Sequence, residues 1–411
     1  MNLALISVSA LTLAVLISCF SRLNVGVLSI AMAWIVGVYL GGLPVNTVMA
    51  GFPSQLFLTL SGVTLLFAMA QSNGTLSRLT HHAVQLCRGN AGTIPIIFFF
   101  LSALIASMGP GNISTTALLA PIAMATAART GIPLFLMAIM VGNGANSGSL
   151  SPFAPTGIIV NDTLAKHKLP DLAAEAYLYN LAAHALVAFA GYALFGGLKL
   201  FAADRRVEVV DPEGARAFDR RQWITLGVIA ALLISVLVFK AHVGLAAFVG
   251  AVLLVAVNAA DDGEAIKLMP WRVIVMVCGV TVLIALVERF QGLDLMVQWV
   301  ARLSTPGTVT FVVALLTGIV SVYSSTSGVV LPAFLPLVPG LAAQLPGASA
   351  VAIAMSMNIG GHLVDTSPLS TIGALCIAGA GAGDSRKLFN QLLAWGLSMA
   401  IVGAVLCYVL F

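Results

Sequence analysis

In the stretch NIGGHLVDTSPLST (358–371), His362 and Asp365 stand three residues apart between long apolar runs. If those runs cross a bilayer, an ionisable pair at that depth is costly and is expected to serve a function. A carboxylate there can take up a proton, or it can pair with a cation from solution or from His362. Asp365 is therefore expected to couple or gate the movement of a solute. The competing reading of His362 is a packed, hydrogen-bonded ring. Three more stretches interrupt apolar runs with Gly, Pro, Asn, Ser or Thr: MGPGNIST (108–115), NGANSGSLSPFAP (143–155) and YSSTSG (323–328). None of the four contains Lys or Arg. Anion binding would then rest on neutral donors and on half-helix N-termini, whose dipole contributes ~0.3–1 kcal/mol and up to ~2 kcal/mol when partly buried. The candidate substrate-binding residues are Asn112, Ser114, Asn143, Asn146, Ser151, Thr326, Ser327, Asn358, His362, Thr366 and Ser367. Asn112 has a competing role as a turn residue, and Asn143 and Asn146 as helix caps.

The elements that would carry these stretches follow from composition. Of the 411 residues, 60% are hydrophobic and 8% charged. Soluble domains carry about 25% charged residues, so this chain cannot clothe itself for water. It reads as an all-α polytopic membrane protein, with room for about ten spans of ~20 residues. The opening MNLALISVSALTLAVLISCF has no charged leading segment and reads as a first span rather than a cleaved signal. Cys19, Cys87, Cys278, Cys376 and Cys407 are far apart and suggest packing rather than metal binding. There is no nucleophile–base pair and no Walker sequence, so neither an enzyme nor a nucleotide-driven pump is expected. Neither nucleic acid nor a cofactor is expected.

The chain also repeats itself. SGVTLLFAMAQSNGTL (61–76) is echoed by CGVTVLIALVERFQGL (278–293), and SPFAPTG (151–157) by SPLSTIG (367–373). Gly131 and Pro121 find counterparts in Gly347 and Pro336, so every echo lies 215 to 217 residues away. Residues 1–203 and 223–411 are each expected to hold five spans and a re-entrant helical hairpin, joined by a cytoplasmic linker at 204–222. The hairpins fall at about 93–128 and 306–345, and one broken helix per half at about 132–160 and 349–380. The arms at 93–108 and 113–128 look too short to span. Five crossings per half, an odd number, require the two copies to be inverted. With the N-terminus outside, 14 of the 19 Lys and Arg fall in cytoplasmic loops and 5 in outer ones, as the positive-inside rule asks. Both termini are then outside, and Trp223 and Trp271 fall at span ends. Non-helical backbone survives at membrane depth only when buried in protein or lining a water-filled cavity, and paired broken helices are how secondary transporters build a midplane site.

Three stretches, GVTLLFAMAQSNGTL (62–76), the region from GPGNIST (109–115) through GIIVND (157–162), and NIGGHLVDTSPLSTIGALC (358–376), carry a resemblance. They look like the MatC-type malonate/C4-dicarboxylate carriers of the ion transporter superfamily, relatives of the divalent anion:sodium symporters. The resemblance covers nearly the whole chain. It implies dicarboxylate transport across the inner membrane, coupled to Na+ or H+, by an elevator-type motion, often in a homodimer. In the sodium symporter relatives a Ser-Asn-Thr triplet at each hairpin tip helps bind sodium and carboxylate. The matching positions here are Gly111-Asn112-Ile113 and Thr326-Ser327-Gly328, and only Asn112 keeps the family identity. The implied sodium positions lie near Gly111, Asn112 and Gly144, and near Thr326, Ser327 and Gly360. By the same comparison the chain has one N-terminal span fewer than those relatives, which fits an outer N-terminus. The alternative within the superfamily is a cation/proton antiporter with Asp365 as the exchanging carboxylate. His184, alone in an apolar span, reads as a core histidine.

Overall fold

A computed structural model describes residues 2–21, 23–85, 89–202, 206–207, 217–380 and 385–411. Most of the expected linker, with Arg205 and Arg216, lies outside these residues, as do Arg22 and Arg88. The regular secondary structure of the described residues is helical except for a two-residue bridge pairing Gly89–Asn90 with Arg206–Val207.

The first half contains α1 (Leu3–Phe20), α2 (Val25–Trp34, continued by a π turn over Ile35–Leu40) and α3 (Ser54–Ser72). The short α4 (Thr75–Gln85) follows, then the pair α5 (Thr93–Met108) and α6 (Gly111–Thr130). After these come α7 (Leu134–Gly148), α8 (Pro155–Lys166) and α9 (Ala173–Leu194). The second half runs through α10 (Arg220–Leu237), α11 (Val243–Ala256), α12 (Trp271–Arg289), α13 (Gly292–Arg302) and α14 (Val309–Tyr323). It continues with α15, a segmented arm over Thr326–Gln344, then α16 (Ala350–Leu363), α17 (Thr371–Gly379) and α18 (Ser385–Leu410). Among the described residues, five helices are long and apolar enough to cross a membrane: α3, α9, α12, the α15 arm and most of α18. Five shorter apolar helices accompany them.

One boundary of the first hairpin differs from the sequence reading. The arm expected over 113–128 spans Gly111–Thr130, 20 residues, or about 30 Å at 1.5 Å per residue. It is longer than expected because the turn before it is very tight: Gly109 and Gly111 have φ of 142° and 74°, open to glycine at little cost. The α15 arm lies within the hairpin expected at about 306–345, but it is segmented. Pro332, Pro336 and Pro339 withhold backbone donors, and the arm passes from a π turn through a short α segment and a 3-10 turn into Val338–Gln344.

Glycines set how the helices meet. A Cβ at Gly144 of α7 would lie 2.4 Å from the Phe99 carbonyl of α5, and one at Gly360 of α16 would lie 2.3 Å from the Ala314 carbonyl of α14. The same close approach thus occurs in both halves, 216 residues apart. A second recurrence crosses between the halves. Gly26 of α2 abuts Val275 and Met276 of α12, while Gly244 of α11 abuts Thr59 of α3. Each half therefore lends its second helix to the other half's third. α3 and α12 also run in opposite senses. Phe67 and Ala68 near the end of α3 share a pocket with Leu268 and Pro270, which precede α12. Gly51, just before α3, faces Ala285 near the end of α12.

The hairpin arms, α7, α9, α16 and α18 enclose one apolar cluster that includes Phe98, Leu119, Met137, Leu363 and Leu392. Two further clusters lie around Leu60 and Val277 and around Leu283 and Leu337. Outward faces stay apolar, as at Leu13, Val249, Val252 and Val405. Exposed aliphatic surface on this scale suits lipid rather than water.

Candidate functional site

Both long polar breaks are built alike. α7 stops at Gly148 and the chain crosses Ser149–Ala154 before Pro155 starts α8. α16 stops at Leu363, makes a 3-10 turn over Val364–Thr366, and resumes at Thr371. Each break is tied to its neighbours by side chains. Ser151 Oγ donates to the Ser107 carbonyl at the end of α5 (2.7 Å). Asn112, at the tip between α5 and α6, donates from Nδ2 to Asn146 Oδ1 (2.8 Å). The first hairpin is thereby pinned to the first break.

The second hairpin is held by a hydroxyl and a carboxylate. Thr326 Oγ1 donates to Asp365 Oδ1 (2.5 Å), and Ser321 of α14 hydrogen-bonds to Thr326. Ser370 donates to the Asp365 backbone carbonyl. Ser325 caps the π turn by accepting from the Gly328 amide (3.2 Å).

A cavity of about 250 Å³ lies between the two tips. Its walls include Asn112 from the first tip, Ser324 through Ser327 from the second, and Asp365 and Ser370 from the second break. Asn24 at the start of α2 and Arg272 and Met276 of α12 close the other side. Among the described lining residues, Asp365 and Arg272 alone carry charge.

Of the residues singled out in the sequence, Asn112, Thr326, Ser327 and Asp365 meet at this cavity. Ser114 faces a smaller pocket beside Thr64 and Gln71. Asn143, Asn146, Ser151, Asn358, His362, Thr366 and Ser367 are buried and absent from the cavity wall. Asn146 serves the site by holding Asn112. Gly111 lies next to Pro155, which brings the first tip against the second part of its broken helix. The carbonyl contacts of Gly144 and Gly360 are helix crossings.

Two parts of this arrangement escaped the sequence reading. Arg272 lies in none of the four polar stretches, and in the sequence it is only one of the 14 Lys and Arg that fall on the cytoplasmic side. His184 is buried as expected, but it is not alone: its Nδ1 hydrogen-bonds to Asn143 Oδ1 (2.9 Å), while Asn143 Nδ2 donates to the Ile139 carbonyl (2.8 Å). On the same helix, Asn180 donates to the Asn146 carbonyl (2.8 Å). The visible signal was Asn-x3-His, present as Asn180 and His184 in α9 and again as Asn358 and His362 in α16. In α16 the His362 Nδ1 pairs with the Asn358 carbonyl (2.9 Å).

Residues 1–149 match the family model described as the dicarboxylate carrier protein MatC N-terminus. The matched segment contains the first hairpin and all of α7, and it ends where the first break begins. No curated protein matches the chain. Among solved structures, the chain is similar to the Alcanivorax borkumensis YdaH transporter, with a TM-score of 0.57 and 18% identity. The similarity covers 88% of this chain and 87% of that one. At that identity the likeness is one of fold alone.

Proposed function

We propose that the protein is a secondary active transporter of a small dicarboxylate, malonate or a C4-dicarboxylate, coupled to Na+ or H+. The observation that carries this reading is the cavity shared by both hairpin tips and the second break, with Asp365 at its wall. The match of the first 149 residues to a dicarboxylate carrier model supports the substrate class. The recurrent glycine contacts and the opposed senses of α3 and α12 support two inverted-topology repeats. In this reading the hairpins and broken helices move as one body, elevator fashion, against α1–α3 and α10–α12. The protein sits in the cell inner membrane with both termini outside and acts as a homodimer.

Neutral donors do most of the binding. Asn112, Ser327 and the capped N-terminus beyond Ser325 offer hydrogen bonds without a fixed charge, which suits a ligand that must also leave. In this reading the coupling ion binds at Asp365, a role supported by the Thr326 and Ser321 hydroxyls that hydrogen-bond to its carboxylate. Uptake of labelled malonate and succinate into proteoliposomes, with and without Na+ and pH gradients, tests the reading; no gradient-driven uptake of either diacid overturns it. Because Asp365 is the sole carboxylate among the described cavity residues, exchange of cations for protons is the second reading. Cation-driven proton movement in the same vesicles without any diacid would favour it.

A further inference from the structure

Arg272 is the one cation on the described cavity wall, and it stands on a helix that belongs to neither hairpin. Its backbone is fixed: Asn24 Nδ2 donates to the Arg272 carbonyl (2.9 Å), which joins the start of α2 to the start of α12. Among the described residues the ion pairs are Asp162–Lys166 and Glu264–Lys267, so the Arg272 guanidinium is left without a carboxylate. Its planar fork of donors matches a carboxylate in two parallel hydrogen bonds, which no neutral donor on the wall can do.

The equivalent position in the first half, 217 residues earlier, is Gln55 at the start of α3. It lies at the opposite end of the molecule, because α3 and α12 run in opposite senses. We propose that Arg272 binds one carboxylate of the transported diacid when the site opens on the Arg272 side, and that the opposite-facing state offers only the neutral Gln55 there. This rests on the dicarboxylate reading above and adds to it a sidedness of affinity. The dianion is held more tightly on one face of the membrane than on the other. The difference comes from a residue of the stationary helices, not of the moving hairpins.

The test measures half-saturation for labelled malonate and succinate separately from each face, using right-side-out and everted vesicles. Wild type is compared with Arg272→Gln, Arg272→Lys and Gln55→Arg. Arg272→Gln is expected to raise half-saturation about tenfold or more on one face alone, the loss typical of a hydrogen bond to a charged group. Arg272→Lys should recover part of it, since charge remains but the fork is gone. Gln55→Arg should lower half-saturation on the other face. Equal shifts on both faces, or none on either, overturn the proposal and leave the dicarboxylate reading standing. If wild type moves neither diacid, the dicarboxylate reading falls and the proposal with it. Position 272 is exposed, so the variants should fold, and gel filtration together with wild-type behaviour on the unaffected face checks that they do.

Discussion

Thr326 at the second hairpin tip and Asp365 in the second broken helix are joined by a 2.5 Å hydrogen bond, 39 residues apart in sequence. The bond closes the cavity on one side, so any change at Asp365 is felt by the hairpin. Asp365→Asn is expected to keep exchange of labelled for unlabelled diacid. It should lose the dependence of net uptake on whichever gradient drives the wild type. Counterflow and net uptake, measured side by side, separate the two. Unchanged ion and pH dependence in Asp365→Asn would reduce the carboxylate to a helix cap.

Asn112→Ala removes the donor to Asn146 and a cavity contact at once. Uptake should fall to background while expression and monodispersity persist. Wild-type kinetics in this variant would mean that the first tip only shapes the fold.

Asn143 and His184 are paired and buried, and neither lines the cavity, so their loss should appear as instability first. Either truncation leaves a buried polar group unpaired, at a cost of about 1–3 kcal/mol. A double-mutant cycle on Asn143→Ala and His184→Ala, read by thermal unfolding in detergent, should show coupling above ~0.5 kcal/mol. Additive effects would contradict the pairing.

Gly144→Ala and Gly360→Ala should each lower stability by about 1–3 kcal/mol through overpacking, because a backbone carbonyl stands where the Cβ must go. Gly227→Ala in α10 is the control. Nothing lies within 4 Å of its Cβ, and the change should be neutral or stabilising.

Topology is checked by thiol labelling on a background lacking the native cysteines. Lys166→Cys should react with an impermeant reagent from outside intact cells and Lys267→Cys should not. Reaction at 267 in sealed cells would reverse the assigned orientation.

Element boundaries were legible because lipid-facing and buried residues are both apolar, while the breaks are not. The stretches 143–155 and 358–371 do contain the breaks, but Asn143–Gly148 and Asn358–Leu363 within them stay helical, because buried Gly, Asn and Ser can continue a helix that packs against protein. The length of α6 was not legible, since it depends on Gly109 and Gly111 adopting positive φ, a property a glycine permits without announcing. Arg272 escaped for a different reason. It belongs to no polar stretch, and it enters the cavity only because α2 and α12 pack so closely at Gly26 and Gly279. His184 is the core histidine expected, but its partner Asn143 was not legible, because it is 41 residues away on another helix. Motif periodicity reports neighbours along a helix, not across one.

The exchange of second helices between halves bears on how the protein is made. Gly26 waits for Gly279, about 250 residues downstream, which at about 5–20 residues per second is roughly 13–50 s of translation. Throughout that interval α2 stands in the bilayer without its intended neighbour, and Gly26 leaves its backbone open to lipid or to a chaperone. The ribosome therefore cannot deliver one finished half and then the other. The N-terminal half should mature only after α12 has been inserted, and a nascent chain stalled before residue 271 should be a substrate for membrane proteolysis.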